Sequence, residues 1–247
     1  MNTVLEVNGL SKQYKKGIYA AEKVSFDIQE GEIFALIGPN GAGKTTTIRM
    51  IATLLQPTEG DATVDGNSVK NDPDKVRKCI TYLPDEAGAY KTMTGKQYLE
   101  FMAGIFADNK QQAAEFVNNA VEMCGLGERL SEKIGSYSRG MIRKLLLSRA
   151  VMSRPKLAIL DEPTSGLDII NALEIRRMIK DLAASRGMSF LLSSHNMLEI
   201  EYVCDRVGII AKGKLLEIGK PSELKVKHNV NNLEEVFEQV VKSNEVR

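Results

Sequence analysis

Gly38-Pro39-Asn40-Gly41-Ala42-Gly43-Lys44-Thr45 fits the pattern G-x-x-x-x-G-K-[ST] at every fixed position, a spacing suited to gripping a chain of phosphates. Gly41 and Gly43 admit backbone conformations closed to residues with a Cβ, so successive N–H groups can converge on phosphate oxygens. Lys44 is expected to reach the β- and γ-phosphates of a bound nucleoside triphosphate. The Thr45 hydroxyl is expected to ligate Mg²⁺, with Thr46 next to it in the same binding set. Asp161-Glu162 follows the apolar run Leu157-Ala158-Ile159-Leu160, so both carboxylates emerge at the C-terminal edge of a buried strand, where open α/β sheets bind ligands. There Asp161 would hold Mg²⁺ through water, and Glu162 would orient or deprotonate the water that attacks the γ-phosphate. His195, at the end of the next apolar strand, lands at the same edge, where an imidazole can hydrogen-bond the γ-phosphate and sense its loss. His228, in a polar stretch, carries no such reading.

These groups need a frame. Ile33-Phe34-Ala35-Leu36-Ile37 reads as the strand that enters the glycine-rich loop, and Ile48, Ile51, Ala52 and Leu55 mark one face of the helix that leaves it. That helix points its positive end at the same anion. The first thirty residues read as antiparallel strands, with Val24, Phe26 and Ile28 alternating before a turn at Glu30-Gly31. Leu10-Ser11-Lys12-Gln13-Tyr14 is expected as a loop ahead of them, in which Tyr14 can offer its ring to a nucleobase. Ala62-Val64 and Ile80-Leu83 read as further strands, and Asp72-Pro73 as a helix cap with proline at the first helical position. From Thr94 to about Arg154 the pattern turns helical, opening on a capping box of Thr94 and Gln97. Phe190-Ser193 and Val207-Ile210 complete a set of buried strands that alternate with helices, which predicts a parallel sheet with right-handed crossovers. Asn232 with Glu235 caps a last helix whose Leu233, Val236, Phe237, Val240 and Val241 form one apolar stripe, to be docked on this chain or on a partner.

The predicted organisation is therefore an α/β nucleotide-binding core with an antiparallel β part over 1–86 and 151–220, a helical subdomain over 87–150, and a tail over 221–247. The chain of 247 residues is 43% apolar, enough for a substantial core. Its net charge of +1 excludes the basic surplus of a dedicated nucleic-acid binder. Cys79, Cys124 and Cys204 lack metal-ligand spacing and are odd in number, which suggests reduced thiols in the cytoplasm. The start of the chain lacks the texture of a signal peptide, and no run approaches about 18 consecutive apolar positions, so the chain is not expected to cross a bilayer by itself.

In their order and spacing these segments resemble the nucleotide-binding subunit of an ATP-binding cassette (ABC) transporter, of the export type. The resemblance implies a P-loop NTPase (RecA-like) fold, ATP and Mg²⁺ as ligands, and ATP hydrolysis. Tyr14 falls where that family places its adenine-stacking aromatic, and Tyr137-Ser138-Arg139-Gly140-Met141 falls at the signature motif. Ser165-Gly166-Leu167-Asp168 resembles the loop that crosses the dimer interface, and His195 the switch histidine. The family's usual signature is Leu-Ser-Gly-Gly-Gln. Here Arg139 replaces the first glycine and Met141 the glutamine, while Ser138 and Gly140 remain for γ-phosphate contact. Arg139 would add a cation near that phosphate if turned inward. Asp85 stands where the family has a glutamine, and a carboxylate there can approach Mg²⁺ through water. The resemblance further implies a second ABC subunit, identical or closely related, and a separate transmembrane permease at the inner face of the membrane. The expected permease contact is the groove from Asp85 to Lys96 with Tyr90 and Met93. A soluble ABC ATPase of metal-cluster assembly or DNA maintenance is the alternative, although no sustained heptads lie between the phosphate loop and the signature.

Overall fold

The computed structural model describes residues 2–245. In chain order its strands are β1 (Thr3–Lys15), β2 (Ile18–Gln29), β3 (Ile33–Ile37), β4 (Glu59–Val64), β5 (Asn67–Ser68), β6 (Ile80–Leu83), β7 (Leu157–Asp161), β8 (Ser189–Ser194), β9 (Arg206–Ala211) and β10 (Lys214–Gly219). The α-helices are α1 (Lys44–Ile51), α2 (Pro73–Cys79), α3 (Gly95–Phe106), α4 (Lys110–Cys124), α5 (Arg139–Val151), α6 (Ile169–Arg186), α7 (Met197–Val203), α8 (Pro221–His228) and α9 (Leu233–Glu245). Two sheets form: an antiparallel one ordered β2-β1-β4-β5, and a larger one ordered β10-β9-β3-β8-β7-β6.

In the larger sheet the neighbours from β9 to β6 are parallel, and β10 closes one edge antiparallel to β9. Every residue of β3, β7 and β8 is buried, which is why these strands read as continuous rather than alternating apolar runs. Their two faces serve two cores. Ile33, Ala35 and Ile37 pack with Leu99, Ala120, Leu145 and Leu146 of the helical region. Phe34 and Leu36 pack with Ile48 and Ile51 of α1 and with Val7, Val24 and Phe26 of the antiparallel sheet. The register then decides where the chemistry lies: Ile37 pairs with Ser194 and Asp161 with Ser193. The residues that follow these three strands, Gly38, Glu162 and His195, therefore leave the sheet at one edge.

The helical region is built on caps. Thr94 and Gln97 form the reciprocal capping box at the start of α3, Asn109 caps α4, and Ser138 caps α5 by accepting from the Met141 N–H. Two local expectations are corrected, and one strand went unforeseen. Leu10 to Tyr14 continue β1 instead of looping, because Leu10 pairs with Val24 and Lys12 with Ala21 through irregular register. Asp72 precedes α2 without a side-chain cap, its carboxylate being taken by Lys75 at 2.8 Å. Strand β10 escaped the sequence reading because its side chains are all half-buried or exposed. Its signal was the turn at Lys212-Gly213, both left-handed.

The apolar stripe of the last helix docks on its own chain, against α7, α8 and β10. Leu233 and Val236 are completely buried and Val240 nearly so, while Glu201 of α7 accepts from the Leu233 N–H and pairs with Lys225. Leu233→Ala should cost about 2–5 kcal/mol of stability by leaving a cavity beneath α9, measured by chemical denaturation.

Candidate active site

The glycine-rich loop closes over its own lysine. Lys44, only 5% exposed, donates from Nζ to the carbonyls of Gly38 at 2.7 Å and Pro39 at 3.1 Å, and lies 3.7 Å from Glu162 Oε1. Burial lowers the ammonium pKa, and the facing carboxylates of Glu162 and Asp161 work against that loss. The loop has no room for side chains at two points. A Cβ on Gly43, at φ 108°, would sit 2.4 Å from the Ala20 carbonyl oxygen, and one on Gly38 would sit 2.1 Å from that of Ile210. Gly41 is also left-handed, at φ 79°, but faces open space. With Gly43 at its N-cap, α1 starts without a side-chain cap, so its end is open to an anion.

Asp161 ends β7 nearly buried and collects hydroxyl donors. Ser193 donates to Oδ1, Thr45 donates to the same oxygen at 3.4 Å, and Tyr82 donates to Oδ2 at 3.4 Å. Ser193 and Tyr82 went unnoticed in the sequence, since a serine in an apolar strand and a tyrosine in a mixed one carry no signature. Burial raises the Tyr82 phenol pKa, which keeps it a donor to the carboxylate.

Glu162 adopts φ 50°, a left-handed conformation uncommon for a residue with a Cβ. Its N–H is held by the Ser193 hydroxyl at 3.1 Å and the Ser193 carbonyl at 3.2 Å. Its carboxylate spans the site, with Oε1 toward Lys44 and Oε2 2.9 Å from Nδ1 of half-exposed His195. Thus Lys44, the adjacent pair Asp161-Glu162 and His195, from three separate segments of the chain, meet at one point. Asn40 to Thr46, Asp85, Asp161 and Glu162 line a cleft of about 400 Å³.

The other predicted residues lie outside that cleft. Tyr14, the last residue but one of β1, is 61% exposed, with Lys12 over its ring at 5.7 Å. Ser138 is committed to its cap, and Asp168 caps α6 by accepting from the Asn171 N–H at 3.0 Å, a bond that lowers its pKa. Gly140 abuts Asn171 so closely that a Cβ would fall 2.0 Å from its Oδ1. Arg139 does not turn toward the cleft: its guanidinium lies over Gly166 and donates to the Ser165 carbonyl at 3.2 Å. Sequence reasoning also missed Arg143, whose buried guanidinium reaches the backbone of Pro84, Asp85, Asp161, Glu162 and Pro163.

Parallel strands that bring a glycine-rich phosphate loop, paired acids and a histidine to one edge define an ATP-hydrolysing P-loop fold. Residues 21–165 match the family model described as ABC transporter, and the chain belongs to that family as an ATP-binding, ATP-hydrolysing subunit. It is 38% identical to the uncharacterized ABC transporter ATP-binding protein YhcH of Bacillus subtilis over 93% of this chain and 74% of that one. It is 36% identical to the linearmycin resistance ATP-binding protein LnrL of the same species over 90% and 70%. Among solved structures, an ATP-binding subunit of an ABC transporter superposes with a TM-score of 0.84 at 29% identity, covering 97% of this chain and all of that one.

The contrast between two glycines tests the loop geometry. Gly43→Ala must absorb both left-handed strain, about 1–3 kcal/mol, and a backbone collision, whereas Gly41→Ala meets only the strain. Titration with MgATP should show Gly43→Ala weakening binding the more severely of the two, by at least about tenfold, or ~1.4 kcal/mol.

Proposed function

We propose that this subunit binds MgATP in the cleft beneath Lys44, dimerises on it, hydrolyses it with Glu162 as general base, and powers a separate transmembrane subunit for export. The observation that carries this reading is the Glu162 carboxylate, suspended between Lys44 and His195 at the mouth of the cradle. In hydrolysis Glu162 takes a proton from the water whose oxygen bonds to the γ-phosphorus, as the bond from that phosphorus to the β-bridging oxygen breaks. Lys44 exchanges its loop carbonyls for phosphate oxygens, helped by N–H groups of the loop from Asn40 to Thr46. His195 hydrogen-bonds the γ-phosphate and registers its departure.

The donor set suits Mg²⁺. Thr45 Oγ1 and Asp161 Oδ1 are hard oxygens already side by side, and Asp85 lines the same cleft. When bound, the ion neutralises phosphate charge.

ABC cassettes dimerise and work with transmembrane subunits. By the chain's resemblance to ABC cassettes we assign Ser138, Gly140 and Asp168 to the nucleotide site of the opposing subunit, a copy of this chain or a close relative; none of the three lines this chain's own cleft. Tyr14 is assigned to the adenine. The permease surface is the groove from Asp85 to Lys96. Tyr90 is 56% exposed there and makes edge-to-face contacts with Tyr98 and Phe101, beside exposed Ile105 and Phe106; Met93 packs underneath. Among the described residues no helix is long and apolar enough to cross a membrane, which fits a peripheral place on its inner face beside the permease. The export direction draws on the similarity to the linearmycin resistance protein.

Glu162→Gln should slow steady-state ATP hydrolysis by about 10²–10⁴ and leave an ATP-bound dimer that persists in size-exclusion chromatography; hydrolysis at the parent rate would remove Glu162 from the mechanism. Tyr90→Ala should leave soluble ATPase turnover intact and abolish co-purification with the permease from detergent-solubilised membranes, whereas equal loss of both would sink the docking role.

A further inference from the structure

Arg143 sits on the inward side of α5, 7% exposed, among leucines that need no charge near them. A guanidinium carries five N–H groups, and here each one meets a backbone carbonyl. Nε donates to Pro163 at 2.7 Å, one Nη to Pro84 at 3.3 Å and Asp85 at 3.1 Å, and the other Nη to Asp161 at 3.3 Å and Glu162 at 2.7 Å. Burial lowers the pKa of the group, so the fold keeps a cation there against its desolvation cost. Its five acceptors are oxygens at the ends of β6 and β7, the two strands that flank one side of the cleft.

The geometry has a specific consequence for Glu162. The carbonyl of Asp161 belongs to the peptide plane before the Glu162 Cα, and the carbonyl of Glu162 to the plane after it. Arg143 holds both, which fixes the two dihedrals between them and with them the direction of the Cα–Cβ bond. That is the left-handed conformation, φ 50°, which costs a residue with a side chain about 1–3 kcal/mol and persists only where the surroundings over-determine it.

We propose that Arg143 is the positioning residue for Glu162: by pinning both peptide planes around it, the guanidinium aims the carboxylate at the phosphate cradle. Through its bonds to Pro84 and Asp85 it also ties that aim to the signature helix α5 and to the strand end beside the permease groove. This rests on the assignment of Glu162 as the base.

The test compares steady-state ATPase rates and MgATP affinity for Arg143→Gln, Arg143→Lys, Glu162→Gln and the Arg143→Gln/Glu162→Gln pair, with thermal denaturation to report folding. Arg143→Gln should lower kcat about tenfold to a hundredfold, the scale of a small misplacement of a reacting group, with MgATP affinity unchanged. Arg143→Lys should lose less, since an ammonium keeps three of the donors, and it carries the comparison if the glutamine variant fails to fold. In the Glu162→Gln background, adding Arg143→Gln should cost nothing further, because the effect passes through the glutamate. A parental kcat in Arg143→Gln, a full additional loss in the double variant, or affinity and kcat falling together would each overturn the proposal. A Glu162→Gln variant at the parent rate would overturn the base assignment as well, which the single arginine variants distinguish.

Discussion

The structure depends on keeping one cation almost out of water and within reach of an incoming polyanion. An isolated ammonium in that position would cost several kcal/mol, and the fold offsets this with two loop carbonyls and a facing carboxylate. Hydrogen bonds to charged groups are worth about 1.5–3 kcal/mol each, so these contacts offset part of the burial cost of Lys44 without sealing it in. The carbonyls belong to Gly38 and Pro39, and that loop can curl over the lysine only because Gly38 and Gly43 bring backbone against backbone. Burial and availability are thus properties of one loop.

The second constraint is register. Because Asp161 pairs with Ser193 and Ile37 with Ser194, the loop, the acids and the histidine leave the sheet at one level. Ser193 then reaches in two directions, donating to the Asp161 carboxylate and accepting from the Glu162 N–H. A shift of one strand by a single residue would turn these side chains to the opposite face and dissolve the site.

The helical region is stitched to this edge by polar contacts. Arg143 binds the ends of β6 and β7, Arg139 lies across Ser165 and Gly166, and Gly140 rests on Asn171 at the start of α6. The N-terminal end of α5 and the segment from Asp161 to Asn171 are consequently held together within one chain. The arginine that replaces a signature glycine finds its place there: Gly166 lacks a Cβ that would collide with the guanidinium.

What the sequence determined alone was the chemistry with fixed spacing and the elements with strong periodicity. The phosphate loop needs glycines and a lysine at set offsets, and Thr94 with Gln97 must bond within one helical turn, so local residue order suffices for both. Asp161, Glu162 and His195 were legible because each follows an apolar run, and parallel strands end at a common edge. Only the tertiary structure decided which oxygen faces which donor. Ser193, Tyr82 and Arg143 take their meaning from partners 18 to 79 positions away, and a lone polar residue in an apolar stretch does not announce its partner. The direction of Arg139 and the docking of α9 were likewise undecided, since both turn on free energies of contact between segments that touch only when the chain has folded.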